Sequence, residues 1–169
     1  MIELELTYLA KSIPEGVKEG KEMLDIYIPK SAHHPILRIR KNGDKYEMTK
    51  KSPVKDGDSS VQKEHTILLT KEEFKELSQL EGKRVSKTRY IYNHNGRNAE
   101  IDVFHGELKG LVLVDFEFDS EEEKENFEIP DFCLAEVTQE KFLAGGMLCG
   151  KNYGDIEKNL ERYGYKRLQ

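Results

Sequence analysis

The chain has 169 residues, a formal net charge of −5, and charged side chains at 35% of its positions. That length fits one core, so residues 1–169 read as a single domain, and the negative balance argues against a nucleic-acid reader with a basic surface. No run approaches the roughly 20 apolar residues of a membrane span, and the N-terminus lacks the charged and apolar regions of a signal peptide; the expectation is a soluble, cytoplasmic protein with no membrane partner.

In chain order, alternation of polar and apolar residues predicts strands over Ile2–Tyr8, Met23–Ile28, Ile36–Arg40, Tyr46–Lys51 and Val61–Leu69. Asn42-Gly43-Asp44 marks a hairpin, because a tight turn needs residues that tolerate positive φ. Thr70-Lys71-Glu72-Glu73 forms a capping box ahead of Phe74, Leu77 and Leu80, which predicts a helix. Alternation then resumes over Val85–Tyr92, Ala99–Phe104 and Leu111–Phe118, with a second hairpin signal at Asn95-Gly96. Ser120 to Glu123 opens another helix, and the acidic run Asp119–Glu125 reads as its solvated start, favoured there by the helix dipole. Cys133 and Cys149 lack metal-ligand spacing and read as reduced thiols. Ile156, Leu160 and Tyr163 mark a last amphipathic helix. Eight antiparallel strands with a few short helices make an α+β fold whose sheet curls or closes on itself, since a flat sheet would leave long edges unprotected.

The polar faces of these strands are sorted by charge. Glu3 and Glu5 share one face, as do Arg38 and Arg40, Lys87 and Arg89, Glu100 and Asp102, and Asp115 and Glu117; Lys51 lies in phase with Thr49, and Glu64 sits alone in its strand. An i, i+2 pair puts both charges on one side of a sheet about 7 Å apart. Any one such strand is explained by a solvated face with Leu4, Leu6, Ile39, Val112, Val114 and Phe116 forming the core. Same-sign pairing on five strands needs more, because neighbouring like charges repel. If these faces point inward in a closed barrel, the arginines and lysines need an anion such as phosphate, and the carboxylates need a hard cation such as magnesium or manganese.

Those residues, in that order, resemble the CYTH, or triphosphate tunnel metalloenzyme, superfamily. Glu3-Leu4-Glu5-Leu6-Thr7 stands at its E-x-E-x-K signature, Arg38-Ile39-Arg40 at the arginine pair, and Thr49-Lys50-Lys51 at the lysine strand. Glu64, Lys87-Thr88-Arg89-Tyr90, Glu100-Ile101-Asp102, Asp115-Phe116-Glu117 and Glu136-Val137-Thr138 continue the pattern. The resemblance implies an eight-stranded antiparallel closed barrel forming a triphosphate tunnel, with helices packed outside. It also implies divalent-metal-dependent cleavage of a triphosphate, first inorganic triphosphate, then thiamine triphosphate or cyclisation of ATP. On this resemblance Arg38, Arg40, Lys51, Lys87 and Arg89 bind phosphate, Glu3, Glu5, Lys87 and Arg89 act in catalysis, and Glu3, Glu5, Glu64, Asp102, Asp115 and Glu117 hold Mg²⁺ or Mn²⁺. The expected partner is a triphosphate-containing small molecule, and the expected state is a monomer or homodimer.

Thr7 departs from the signature lysine, and Lys11, about 13 Å further along an extended strand, is a poor geometric substitute. This keeps open a domain that binds polyphosphate or a phosphorylated metabolite without turnover. The chain has no Trp, and Tyr8, Tyr46, Tyr90 and Tyr92 are the candidates to stack on a base. His33, His34, His65, His94 and His105 are not expected to ligate a metal, Lys141 is expected to be exposed, and Gly145-Gly146 reads as a turn rather than a phosphate loop.

Overall fold

A computed structural model describes residues 1–168. Nine strands, β1 (Ile2–Ala10), β2 (Lys21–Ile28), β3 (Leu37–Asn42), β4 (Lys45–Pro53), β5 (Val61–Leu69), β6 (Lys83–His94), β7 (Arg97–Phe104), β8 (Val112–Phe118) and β9 (Cys133–Glu136), form one sheet with every pairing antiparallel. The order β5-β4-β3-β2-β6-β7-β8-β1 closes through a short β1–β5 pairing at Ile2–Leu4, which makes an eight-stranded barrel. Closure leaves β1 and β5 without the long free edges an open sheet would have. The ninth strand, absent from the period-2 reading because it is only four residues long, adds to the other end of β1.

Both predicted hairpins are present. Asn95 and Gly96 take φ of 50° and 86° in the two-residue loop between His94 and Arg97, the pair of positive angles that matches strand twist. In the other hairpin the loop residues are Gly43 and Asp44, with Asn42 still paired in β3, so only Gly43 needs positive φ.

Helix α1 (Lys71–Leu77) starts at the expected capping box: Glu73 N–H donates to Thr70 Oγ1 at 3.1 Å, and Thr70 N–H donates to the Glu73 carboxylate at 2.7 Å. It stops before Leu80, which is exposed, and lays Phe74 against Ile26 and Ile39 on the outer wall. Helix α2 (Glu121–Glu125) and the segment to β9 cover a second outer patch around Leu6, Tyr8, Ile101, Val114 and Phe116. The hydrophobic rows therefore face out toward covering segments, although Ile2 remains exposed.

The C-terminal segment does something different. Helices α3 (Gly145–Leu148) and α4 (Tyr153–Glu161) do not pack on the outer wall. They bring Leu143, Leu148, Ile156, Leu160 and Tyr165 into one cluster with Leu9, Tyr27, Val85, Phe104 and Leu113, whose positions on their strands are in phase with the ionic rows. This apolar floor seals one end of the barrel. Tyr165 fastens it by donating its hydroxyl to Gly110 O at 2.7 Å and accepting from Val112 N–H at 2.8 Å. Both cysteines are buried and unpaired, and burial pushes their thiols up to about 12 for Cys133 and about 11 for Cys149.

Candidate active site

Residues directly opposite one another on paired strands share a face, so the register alone collects the ionic side chains. Glu5 lies opposite Glu117, Thr7 opposite Asp115, Asp115 opposite Glu100, Arg89 opposite Asp102, Arg40 opposite both Asp25 and Glu47, Arg38 opposite Thr49, and Lys51 opposite Glu64. All eleven sequence-selected site residues, including Glu3 and Lys87, fall on this one face, above the apolar floor.

They divide into three groups. On β2 and β3, Arg40 clamps Asp25 with two hydrogen bonds of 2.6 and 2.7 Å; both are buried, and although burial opposes ionisation, the guanidinium holds the Asp25 carboxyl at about 2. On β6 and β7, Asp102 accepts from Arg89 at 2.6 and 2.7 Å and from Lys87, while Arg89 also pairs with Glu100 and lies 3.7 Å from Asp115. Burial works against the Asp102 charge, but Arg89 and Lys87 overcome it and keep the carboxyl well below the usual range. Lys87 is buried, and burial with help from Arg89 and Arg40 lowers its pKa despite Asp102.

The third group is unbalanced. Lys51 on β4 pairs with Glu3 and stands 3.7 Å from Glu5 and 3.3 Å from Glu64, one ammonium among three carboxylates. Burial raises Glu5 to about 7, Lys51 opposes the rise, and Asp115, Glu3 and Glu117 reinforce it. Asp115 is also raised by burial and by Asp102, and Glu117 by burial and by Glu100. Three lining carboxylates are thus short of positive charge.

A hard divalent cation fits that shortage in kind, because every spare donor is a carboxylate oxygen. Among the described residues no three His, Cys, Asp or Glu side chains are gathered into a ready metal cluster. Lys51 occupies the space between Glu3, Glu5 and Glu64 that such a cluster would need. Both oxygens of Asp102 are already engaged by Lys87 and Arg89.

At the place of the signature lysine, Thr7 donates its hydroxyl to Asp115 at 2.6 Å, and its N–H donates to Thr138 Oγ1 at 3.1 Å. Arg89 Nη2 stands 3.7 Å from the other oxygen of the same Asp115. Lys11 lies beyond β1 and is exposed, as are Lys141, His33, His34, His65 and His105; His94 packs against Phe116 and Phe132 on the outer wall.

Asp25 and Glu47 were not legible as site residues. Each stands alone on its strand without a same-sign partner two residues away, so the pairing signal was missing; the remaining clue for Asp25 was a lone carboxylate inside Met23-Leu24-Asp25-Ile26.

Comparison with known proteins agrees with this geometry. The CYTH domain family model matches residues 1–140. An inorganic triphosphatase of Nitrosomonas europaea is 36% identical over 143 residues, 83% of this chain and 92% of that protein. The crystal structure of an inorganic triphosphatase superposes with a TM-score of 0.64 at 31% identity, covering 87% of this chain and 93% of the other. A Pyrococcus horikoshii protein shares the fold at 17% identity, with a TM-score of 0.52 over 97% of this chain and 91% of that one.

Proposed function

The chain belongs to the CYTH-domain family, and on that premise we propose that it hydrolyses inorganic triphosphate in the charged upper part of its barrel. The observation that carries this reading is the lining itself: cations able to grip phosphate oxygens stand beside carboxylates short of counter-charge, within one enclosed wall. Similarity to inorganic triphosphatases supports the same substrate class.

Arg38, Arg40, Lys51, Lys87 and Arg89 hold the phosphate chain and offset the charge that develops as water attacks the terminal phosphorus and pyrophosphate leaves. Arg38 has the most donor capacity left, because its nearest carboxylate, Glu47, is 3.9 Å away and its buried Nε has no hydrogen-bond partner among the described residues. Asp25 and Asp102 orient Arg40, Lys87 and Arg89, so these cations meet substrate already aimed. Glu3, Glu5, Glu64, Asp115 and Glu117, with Asp102 at the edge of the set, are the residues that would hold Mg²⁺ or Mn²⁺, which supplies phosphate neutralisation and a more acidic water.

The ring inventory favours inorganic triphosphate over thiamine triphosphate or ATP. Tyr8, Tyr90 and Tyr92 belong to the outer aromatic patch, and Tyr46 packs on Phe74 under α1. Tyr27 and Phe104 face inward but sit in the floor. None of these rings is placed to stack a base at the top of the barrel.

The test is phosphate release with Mg²⁺ or Mn²⁺, comparing inorganic triphosphate, thiamine triphosphate and ATP. The expected result is fastest turnover of inorganic triphosphate and a loss of at least about 100-fold in Glu5→Gln. Equal turnover of ATP would remove the substrate assignment. Tight triphosphate binding without release would favour a binding domain, the reading that Thr7 at the lysine position keeps alive.

A further inference from the structure

Arg38 differs from the other lining cations in what holds it. Arg40 is fixed by Asp25, Arg89 and Lys87 by Asp102, and Lys51 by Glu3, whereas among the described residues Arg38 has no carboxylate within hydrogen-bond distance. Its cross-strand partner is Tyr27 of β2, a buried phenol directly across the ladder.

The other side of that phenol meets the C-terminal segment. A Cβ at Gly145 would stand 2.0 Å from the Tyr27 hydroxyl, and a Cβ at Gly146 would stand 2.2 Å from Pro35 O and 2.7 Å from the His34 ring. His34 and Pro35 lead into β3, where Arg38 is the second residue. The glycine pair therefore packs closely against the phenol across from Arg38 and against the backbone that leads into β3. These glycines also lie beyond the residues matched by the family model.

We propose that Tyr27 is a positioning residue for Arg38, and that the Gly145-Gly146 seat sets where its hydroxyl stands, so that the segment beyond residue 140 tunes affinity for triphosphate. This rests on the reading of Arg38 as a phosphate clamp. Tyr27 does not touch substrate; standing directly across from Arg38, its hydroxyl end limits the directions in which the guanidinium can point. Without the hydroxyl, Arg38 keeps its charge but loses its aim. The loss falls on binding common to ground and transition states, which raises KM and leaves kcat nearly unchanged.

The experiment measures KM and kcat for inorganic triphosphate with Mg²⁺ in Tyr27→Phe, Arg38→Ala and the double variant, with melting temperatures as a check on folding. If the chain binds without turnover, the same cycle is read as calorimetric Kd for inorganic triphosphate. Tyr27→Phe is expected to raise KM about fivefold with kcat within about twofold, and to add nothing in the Arg38→Ala background. Gly145→Ala should also raise KM, and part of that loss should return when Tyr27→Phe removes the hydroxyl it collides with. Additive effects of Tyr27→Phe and Arg38→Ala would overturn the inference while leaving the clamp reading intact. An unchanged KM in Arg38→Ala would overturn both. If Gly145→Ala does not fold, the cycle between Tyr27 and Arg38 decides alone.

Discussion

The Arg40–Asp25 pair and the Lys51 cluster sit in the same barrel and both join a basic side chain to carboxylates, yet they are in opposite electrostatic states. Burial raises both carboxyls, but Asp25 has a guanidinium to itself and is held at about 2, whereas Glu5 shares one ammonium with Glu3 and Glu64 and stays raised to about 7. The first arrangement is satisfied without a ligand and keeps the wall in shape. The second leaves unfavourable free energy that a bound cation would remove, which is the condition for coupling metal binding to stability.

That contrast breaks most visibly when the balanced pair is cut. Asp25→Asn should leave Arg40 buried without its counter-charge and cost about 3–5 kcal/mol in urea unfolding. A loss under about 1 kcal/mol would show that water reaches Arg40 and that the pair is not the anchor described. At the unbalanced cluster, the folded Glu5 value lies above its ordinary 4.5. The folded chain therefore gains stability below about pH 4.5 and loses it as pH rises through about 7. The loss is about 2–3 kcal/mol, since 23% of the side chain still meets water. Thermal melts of metal-free protein from pH 5 to pH 8 should show the decline, Glu5→Gln should flatten it, and added Mg²⁺ should restore stability at pH 8. A flat wild-type profile would contradict the strained state.

Asp25 has the opposite sign. Its folded value lies below its ordinary 3.8, so its stabilisation is present above pH 4 and disappears as pH falls through about 2, a loss of about 2 kcal/mol that should be missing from acid titrations of Asp25→Asn. The smallest expected change lies outside the ionic wall. Thr70→Ala removes the α1 cap and should cost about 1 kcal/mol in unfolding with no change in phosphate release, because α1 touches only the outer face. A change in KM in that variant would mean that α1 communicates with the lining.

Strand positions, the alternation of faces and the charge of each ionic row were legible in the sequence because a strand repeats every two residues. A pair such as Arg38 and Arg40, or Glu3 and Glu5, fixes its own face once Ile39 and Leu4 are assigned to the other. The capping box at Thr70 was legible for the same reason, its partners being three residues apart. Three features were decided only by tertiary structure: the pairing of Asp25 with Arg40, the crowding of Lys51 by carboxylates from β1 and β5, and the sealing of the barrel floor by residues beyond 140. Each joins chain segments far apart in sequence. Local periodicity assigns a side chain to a face, but only barrel closure and register decide which distant side chains it meets there.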